Sequence, residues 1–386
     1  MVSFLILIVI ISSVAMAKEA VNVVEECKLV GSGNKNEIVK SFDKDYKTFY
    51  KTGKNKNNGI ICTMPEGKLC SGVYIKFIYK ATDWCLQVKN GKDEWQTVTS
   101  SSKGYISDFL PLDNVKEFRI HAPNRKEYQL NIIELEIFDQ GEIPAYVQRW
   151  KPPLEKSDIL LVHAHSDDEH VFMGGVLPYY AGELGKKVQT MVLVPSTDYR
   201  KHEYLDGLWH SGVKNYPLYG GFPDAFSYKL KDMYKAWNEE TLIGRVVGAI
   251  RRTKPDVVVT HDIKGEYGHG GHQACADAVI NAISKSNKPK YYIKSYKEYG
   301  GWEISKLYIH LYEENKIKMD FNKPLSKFNG KTALTMAKEA FKLHTSQQKI
   351  SYFPTDEGPY SIEDYGLYYS SVGDDVLKND MLENIK

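Results

Sequence analysis

The chain has 386 residues, which is enough for two domains that each bury a core of their own. Its composition is that of an ordinary globular protein, with 42% hydrophobic and 26% charged residues. The formal net charge of +2 at pH 7 is too small to favour nucleic acid or an anionic membrane surface, so we expect neither as a partner.

The first residues have the pattern of a secretory signal peptide. Residues 4–14 are apolar apart from two serines, and Ala15 and Ala17 then place small residues two apart, as a signal peptidase requires. The run is too short to span a bilayer comfortably. We therefore predict that residues 1–17 are cleaved after Ala17; an uncleaved anchor is the alternative, because no Lys or Arg precedes the run. No other stretch approaches a transmembrane length, so we expect a secreted or lumenal mature chain without a transmembrane segment.

The cysteines fit that compartment. Cys275 stands alone on a predicted helix and is expected to be a buried small hydrophobe. The other four cysteines lie in the first quarter of the chain: Cys27, Cys62, Cys70 and Cys85. Four clustered cysteines in a secreted domain predict two disulfides, and all three possible pairings stay open.

Residues 18–140 have the pattern of an all-β domain. Apolar and polar residues alternate at 73–79, 117–121 and in the second half of 130–138, with Gly and Asn clusters between them. Short alternating strands separated by turns predict a β-sandwich.

Two segments of this region resemble discoidin-like, galactose-binding-like sandwiches. Residues 43–49 are similar to an early Asp-x-x-x-x-Thr-aromatic segment of that family, and residues 133–138 resemble its final strand. The resemblance implies a domain that binds glycans or cell surfaces through loops at one end. A purely structural appendage is the alternative, and whether the domain holds calcium stays open.

A linker and a second domain follow. Residues 141–156 contain Gly141 and three prolines, which resist both helix and sheet, so they are predicted to be a linker. Residues 157–386 then alternate between two kinds of pattern. Strands are predicted at 158–163, 187–194, 213–219, 255–260 and 306–312. Helices are predicted at 170–184, 200–212, 233–252, 268–285 and 331–343. This alternation predicts a doubly wound, Rossmann-like α/β domain with a mostly parallel sheet.

Two polar clusters follow predicted strands of this domain. The sequence HAHSDDE occupies residues 163–169, directly after the apolar run 159–162, and HGGH occupies residues 269–272. Open α/β sheets bind ligands at the carboxyl ends of their strands. Histidine and carboxylate side chains are the ligands of a catalytic zinc, and a further carboxylate can act as a general base. The pattern therefore predicts a metal-assisted hydrolase.

Residues 157–350 resemble the LmbE/PIG-L family of zinc-dependent de-N-acetylases. The family has His-Pro-Asp-Asp-Glu after its first strand and His-x-x-His later, and this chain has residues 165–169 and 269–272 in those places. Further matching segments occur in the same order, at residues 200–203, 221–224, 254–260, 302–308 and 344–347.

The resemblance implies a role for each residue of the two clusters. His165, Asp168 and His272 would bind zinc, and Asp167 would be the general base. His269 would polarise the amide carbonyl or protonate the leaving amine. Iron or cobalt would suit the same ligands, so the identity of the metal stays open.

The resemblance also implies roles for residues around the clusters. Tyr267 would help to stabilise the oxyanion, and Arg200 and Asp224 would hold the sugar. An ion pair between Arg200 and Glu203 at the start of a helix is an equal alternative. Glu169 would orient the motif from outside the ligand set.

Histidines outside these roles are expected to be structural. His163 and His261 lie near strand ends, and either would be placed to support the ligands from outside the metal site. His344 is expected to pack under the site at a helix end.

Two departures from the family pattern affect this prediction. Ser166 replaces the usual proline, which removes no ligand. Gly271 replaces the acid of His-x-Asp-His, so the orientation and pKa of His269 are less defined. We predict a secreted zinc-dependent amidohydrolase that uses metal-activated water to remove acetyl from an N-acetylglucosamine-containing glycan or glycoconjugate. The alternatives are a glycan-binding or adhesion protein with a degenerate catalytic domain, and a hydrolase of a different N-acyl amide. The acyl substrate, its carrier and the oligomeric state stay open.

Overall fold

The computed structural model describes residues 18–54, 58–81, 83–123 and 129–385, so the predicted signal peptide lies outside the described residues. The chain forms two compact units. The first, called the β unit here, comprises Met1–Tyr105 and Phe109–Val147; the second, the α/β unit, comprises Ile106–Asp108 and Gln148–Lys386. The units divide after residue 147, within the predicted linker; the other predicted domain boundaries stay predictions.

The β unit contains two antiparallel sheets. Its strands are β1 (Lys28–Gly31), β2 (Tyr50–Lys51), β3 (Ile60–Thr63), β4 (Cys70–Phe77), β5 (Trp84–Lys89), β6 (Trp95–Ser101), β7 (Ser107–Val115), β8 (Glu117–His121) and β9 (Asn131–Phe138). One sheet has the order β1-β3-β8-β5-β6 and the other β2-β9-β4-β7. Alternate residues of both sheets, such as Ile75 and Ile120, are fully buried in one core cluster. The predicted β-rich architecture is thus confirmed, while the discoidin-like assignment stays a prediction.

The predicted disulfides are not supported. All five cysteines are free thiols in the structure. Cys62 and Cys70 lie in the core cluster and Cys27 packs against it, but Cys85 instead contacts Thr97 Oγ1 at 3.7 Å. Cys85 is therefore not grouped with the other three, and the four thiols do not form the two predicted pairs.

The α/β unit is built on a seven-stranded sheet. Its strands are β10 (Ile159–His165), β11 (Val188–Val194), β12 (Leu218–Tyr219), β13 (Val257–Thr260), β14 (Lys306–His310), β15 (Lys316–Lys318) and β16 (Asp364–Ser370). The order is β12-β11-β10-β13-β14-β16-β15, and the first five strands are parallel. The strand order reverses between β10 and β13, which is where such sheets place their ligands.

The helices of this unit follow the predicted alternation, but two of the predicted helices are broken and the helix Ile293–Tyr299 was not predicted. They are α1 (Asp168–Val171), α2 (Asp198–His210), α3 (Leu230–Trp237), α4 (Glu239–Thr253), α5 (Gly270–Ser286), α6 (Ile293–Tyr299) and α7 (Ala333–Lys342), with a π-helical segment at Leu177–Glu183. The predicted helix 170–184 is short α1 followed by the π-helical segment. The predicted helix 233–252 is broken at Asn238, whose φ of 56° is left-handed and whose side chain accepts the N–H of Thr241.

Apolar residues of β10 fix the position of the site. Leu160, Val162 and Ala164 are fully buried and pack in one cluster with α4 and α5. A mixed α/β architecture with a mostly parallel sheet is confirmed, and the doubly wound detail stays a prediction. Among the described residues, the structure has no helix long and apolar enough to cross a membrane.

Candidate active site

The first polar cluster begins where β10 ends. His165 is the last residue of β10, and Asp168 is the first residue of α1. The backbone N–H of His165 donates to Asp168 Oδ2 at 2.6 Å, and Nδ1 of the same histidine lies 3.2 Å from this oxygen. The tight turn between strand and helix therefore holds the carboxylate against the imidazole. Burial raises the pKa of Asp168, but the surrounding histidines lower it more, to well below its usual range.

His272 completes the predicted ligand set. It lies in the first turn of α5, fully buried, and its Nε2 is 3.3 Å from Asp168 Oδ1. This Nε2 has no hydrogen-bond partner in the described part of the chain. A buried nitrogen without a partner is costly unless something else occupies its lone pair. The structure thus brings His165, Asp168 and His272 together through the two carboxylate oxygens of Asp168, and the orphaned Nε2 fits a metal ion with histidine and carboxylate ligands.

His261 also approaches Asp168 but is engaged elsewhere. Its Nε2 lies 3.2 Å from Asp168 Oδ2, but it accepts the backbone N–H of Ala164 at 3.0 Å. Its ring stacks on that of His272, with centroids 4.1 Å apart. Because its Nε2 has a backbone partner, which the Nε2 of His272 lacks, His261 is less suited to bind a metal, and the ligand set stays a prediction.

Glu266 is the residue that sequence reasoning missed. This fully buried carboxylate accepts the Nδ1–H groups of His261 and His272 on Oε2, each at 2.8 Å, and lies 2.7 Å from His310 Nδ1 through Oε1. Burial raises its pKa, but the facing histidines lower it to well below its usual range, so it is ionised. Its bond fixes the His272 tautomer with Nε2 free for a metal. The only signal for Glu266 in the sequence is the missing acid at Gly271, which indicates that another residue supplies the carboxylate that supports the histidines.

The backbone at Gly271 fixes the tautomer of His269. The N–H of Gly271 donates to His269 Nδ1 at 3.0 Å, so the proton of the neutral ring lies on Nε2. Burial and the nearby imidazoles of His165 and His272 lower the pKa of His269 to about 3. A Cβ at position 271 would lie 2.9 Å from His269 Cε1, so glycine leaves room for this ring. The orientation that the sequence left undefined is therefore set by a backbone hydrogen bond.

Arg200 holds the predicted base. Its Nη2 donates to Asp167 Oδ1 and to the carbonyl oxygen of Ser166, both at 3.0 Å, and its Nη1 lies 3.8 Å from Asp224 Oδ2. Burial and the neighbouring Asp168 raise the pKa of Asp167 to about 7, although Arg200 opposes the rise. A carboxyl group that titrates near neutrality is suited to general base work.

The alternative ion pair between Arg200 and Glu203 is wrong. Glu203 is buried on α2 and instead accepts from Thr345 Oγ1 at 2.7 Å and from Ser346 N at 2.8 Å. One side of α2 therefore holds the base through Arg200 while the next turn fixes the segment after α7.

Glu169 lies outside the predicted ligand set, beneath it. Its Oε2 accepts the backbone N–H of Asp167 at 3.0 Å, which ties it to the motif. Its Oε1 lies 2.8 Å from His170 Nδ1 and 3.1 Å from His344 Nε2, and all three side chains are fully buried. His163 lies close to the same carboxylate, at 3.5 Å. The predicted packing of His344 under the site agrees with this arrangement.

A cavity of about 250 Å³ opens onto these groups. It is lined by His165, Asp167, Asp168, Val171, Phe172, Arg200, Asp224, Tyr267, His269, Gln347, Ile350, Ser351 and Tyr352. Tyr267 has a left-handed backbone, with φ of 47°, and its ring stacks on Tyr352 with centroids 4.4 Å apart. Asp224 accepts from Ser196 Oγ at 2.9 Å, while 53% of its side chain is exposed. All the side chains predicted to react or to bind sugar therefore face one cavity.

Comparison with known proteins gives a match in this unit. Residues 160–283 match the family model described as PIG-L: GlcNAc-PI de-N-acetylase. A deacetylase of Geodermatophilus obscurus, named for 1D-myo-inositol 2-acetamido-2-deoxy-alpha-D-glucopyranoside, is 29% identical over 180 residues, which cover 39% of this chain and 60% of the relative. The chain thus spans less than two thirds of this relative. The α/β unit is similar in sequence to proteins named as deacetylases.

Two solved structures are similar to parts of the chain. The N,N'-diacetylchitobiose deacetylase of Pyrococcus horikoshii, solved with an inhibitor, has a TM-score of 0.39 and 16% identity, covering 50% of this chain and 72% of its own. The family 32 CBM from C. perfringens NanJ, solved with galactose, has a TM-score of 0.25 and 13% identity, covering 30% of this chain and 94% of its own.

Proposed function

We propose that the α/β unit is a zinc-dependent N-deacetylase that removes the acetyl group from an N-acetylglucosamine-containing glycan or glycoconjugate. The observation that carries the proposal is the orphaned Nε2 of His272, which faces Asp168, and Asp168 lines the same cavity as His165 and Asp167. The sequence match to proteins named as deacetylases supports the choice of reaction.

The donor set fits a catalytic metal site. His165, Asp168 and His272, which meet at the Asp168 carboxylate, supply two imidazoles and one carboxylate, the number and type of ligands that a catalytic zinc takes from a protein. A metal held there supplies Lewis acidity, which makes a water nucleophilic at neutral pH and polarises the acyl oxygen.

The protein's own residues move the protons and stabilise charge. Asp167 takes a proton from the attacking water, and the bond from Arg200 keeps its carboxylate aimed into the cavity. As the water oxygen bonds to the acyl carbon, His269 donates its Nε2–H to the developing oxyanion. Tyr267, which lines the same cavity, takes the same role through its hydroxyl.

Protonation of the amine completes the reaction. His269 is a neutral donor with its Nδ1 engaged by Gly271, so the proton for the leaving nitrogen comes from protonated Asp167. The bond from carbon to nitrogen then breaks, and the products are acetate and a free amino sugar. Asp224, half-exposed at the cavity, is placed to accept hydrogen bonds from sugar hydroxyls.

Two further points rest on the sequence. We propose that the protein is secreted or lumenal, for which the support is the pattern of residues 1–17. We also propose that the β unit holds the glycan, for which the support is its resemblance to discoidin-like domains.

The test separates the base from the ligands. With the purified protein, Asp167→Asn is expected to abolish acetate release while bound zinc stays near one equivalent. Asp168→Asn is expected to lose both zinc and activity. Acetate release that survives Asp167→Asn would reject the assigned base. Full zinc occupancy with tight glycan binding and no turnover on any N-acetyl sugar would favour the glycan-binding alternative.

A further inference from the structure

Two exposed aromatic side chains lie beside the cavity without a role in the reaction. Phe226 and Tyr228 are 64% and 63% exposed, and their ring centroids are 5.0 Å apart at 80°. The Phe226 ring also lies edge-on to His269, with centroids 5.0 Å apart. Large apolar rings held in water next to reactive groups are typical of surfaces that bind a ligand.

The loop that carries this aromatic pair is fixed in place. Ser227 accepts the backbone N–H of Gly270 at 2.7 Å, and a Cβ at Gly270 would lie only 2.7 Å from the same oxygen. Before the pair in the chain, the carbonyl oxygen of Pro223 accepts the Nε1–H of Trp237 at 2.9 Å. Because the backbone is hydrogen-bonded before the pair and between its two residues, the loop is pre-organised, which reduces the entropy cost of binding.

The size of the cavity leaves most of a larger substrate outside it. Its volume of about 250 Å³ is below the range of roughly 300–1,000 Å³ that holds a drug-sized ligand. The cavity is therefore too small to enclose a longer glycan, and units beyond the one that reacts must lie on the surface around it.

We propose that Phe226 and Tyr228 form a subsite for the sugar ring next to the one that is deacetylated, so that the enzyme acts on glycan chains in preference to single sugars. This inference rests on the proposed function. Sugar rings have C–H faces that pack on aromatic rings and hydroxyls that need polar partners. The two rings offer an aromatic surface, and the exposed carboxylate of Asp224, two residues before Phe226, offers a polar partner. The two rings pack together, but polar Ser227 and Lys229 lie beside them in the chain, so the loop offers less than the extended apolar surface that a lipid chain requires.

The first experiment compares chain lengths. Acetate release is measured with the full, zinc-loaded protein on N-acetylglucosamine and on its β-1,4-linked dimer and trimer, and the readout is the trimer-to-monomer ratio of kcat/KM. In the double variant Phe226→Ala/Tyr228→Ala we expect this ratio to fall about tenfold, mostly through the KM of the trimer, as the loss of two aromatic contacts implies. The conservative variants Phe226→Tyr and Tyr228→Phe should keep the ratio. Leu377→Ala removes a similarly exposed apolar side chain, 72%, from a part of the α/β unit outside the cavity lining and is the matched control.

The results that overturn the proposal are direct. A wild-type protein without preference for the trimer, a double variant with an unchanged ratio, or an equal fall in Leu377→Ala would each reject the subsite. Using the ratio removes any effect of Phe226 on His269 that acts on all substrates alike.

A binding measurement separates the subsite from the proposed reaction. The trimer is titrated calorimetrically into Asp167→Asn protein with and without Tyr228→Ala, and we expect binding to weaken several-fold in the second protein. If the wild type releases no acetate from any sugar but this difference is seen, the proposed function fails and the subsite stands. If the affinities agree within twofold, or if Tyr228→Ala instead weakens binding to phospholipid vesicles, the subsite is rejected.

Discussion

Replacing Glu266 by glutamine tests whether this buried carboxylate prepares His272 for the metal. The two carboxylate oxygens accept the Nδ1–H groups of His261 and His272 and the backbone N–H of Asp262, and one of them lies 2.7 Å from His310 Nδ1. Glutamine keeps the size of the side chain but replaces one of these acceptors with an NH₂ donor. At least one imidazole must then leave its N–H unpaired or move its proton to Nε2.

The magnitude follows from that choice. A buried donor without a partner costs about 1–3 kcal/mol. If His272 moves its proton instead, the Nε2 lone pair that faces Asp168 is lost to the metal. Substitutions that disturb the partner of a metal-bound histidine typically cost 10–100-fold in metal affinity. We therefore expect Glu266→Gln to weaken zinc binding by about 10–100-fold, or about 1.4–2.8 kcal/mol at 1.4 kcal/mol for each factor of ten.

The assay is a competition between the apo protein and a fluorescent zinc chelator of known affinity. Glu203→Gln is the matched control, because Glu203 is also buried but binds Thr345 and Ser346, away from the ligands. The control should lose stability without losing zinc affinity. Equal zinc affinities for Glu266→Gln and the wild type, with both folded, would refute the reasoning, as would an equal loss in the control.

Three further substitutions are expected to give distinct results. Gly271→Ala places a Cβ 2.9 Å from the His269 ring, so kcat should fall at least tenfold while circular dichroism shows an intact fold; unchanged kcat would contradict the assigned contact. Arg200→Gln removes the charge that lowers the pKa of Asp167, so this pKa should rise. Because the base must be ionised, the acidic limb of the pH–rate profile should then move to higher pH. Arg200→Lys should move the limb less, and a shift to lower pH would contradict the argument. Ile75→Ala empties part of the β-unit core and should cost about 2–5 kcal/mol in urea unfolding, with zinc affinity unchanged; a cost below 1 kcal/mol would contradict its place in the core.

Much of the α/β unit was predictable because its strands are continuous apolar runs. Residues 159–162 are buried on both faces of the sheet, so their sequence contains no polar alternation and the strand is easily recognised. The two polar clusters follow from such strands, and the reversal of strand order brings them together. The strands and the polar residues at their ends could therefore be predicted from the local pattern of apolar residues.

The parts that the sequence did not predict depend on contacts between distant segments or on single backbone angles. Glu266 binds histidines from β14, α5 and the end of β13, and no local pattern records such a meeting. The break at Asn238 is set by one left-handed residue inside a helical pattern. Arg200 does not pair with Glu203, because Ser346, in the segment after α7, donates its backbone N–H to Glu203.

The most direct test of the central claim is acetate release from N-acetylglucosamine and its β-linked oligomers by the purified protein, measured with a chelator and again after zinc is restored. We predict that acetate release stops when the chelator removes the metal held by His165, Asp168 and His272, and that it returns with one equivalent of zinc per chain. Acetate release that continues in the metal-free protein, or none from any of these sugars in protein shown to carry zinc, would contradict the proposed metal-dependent deacetylase.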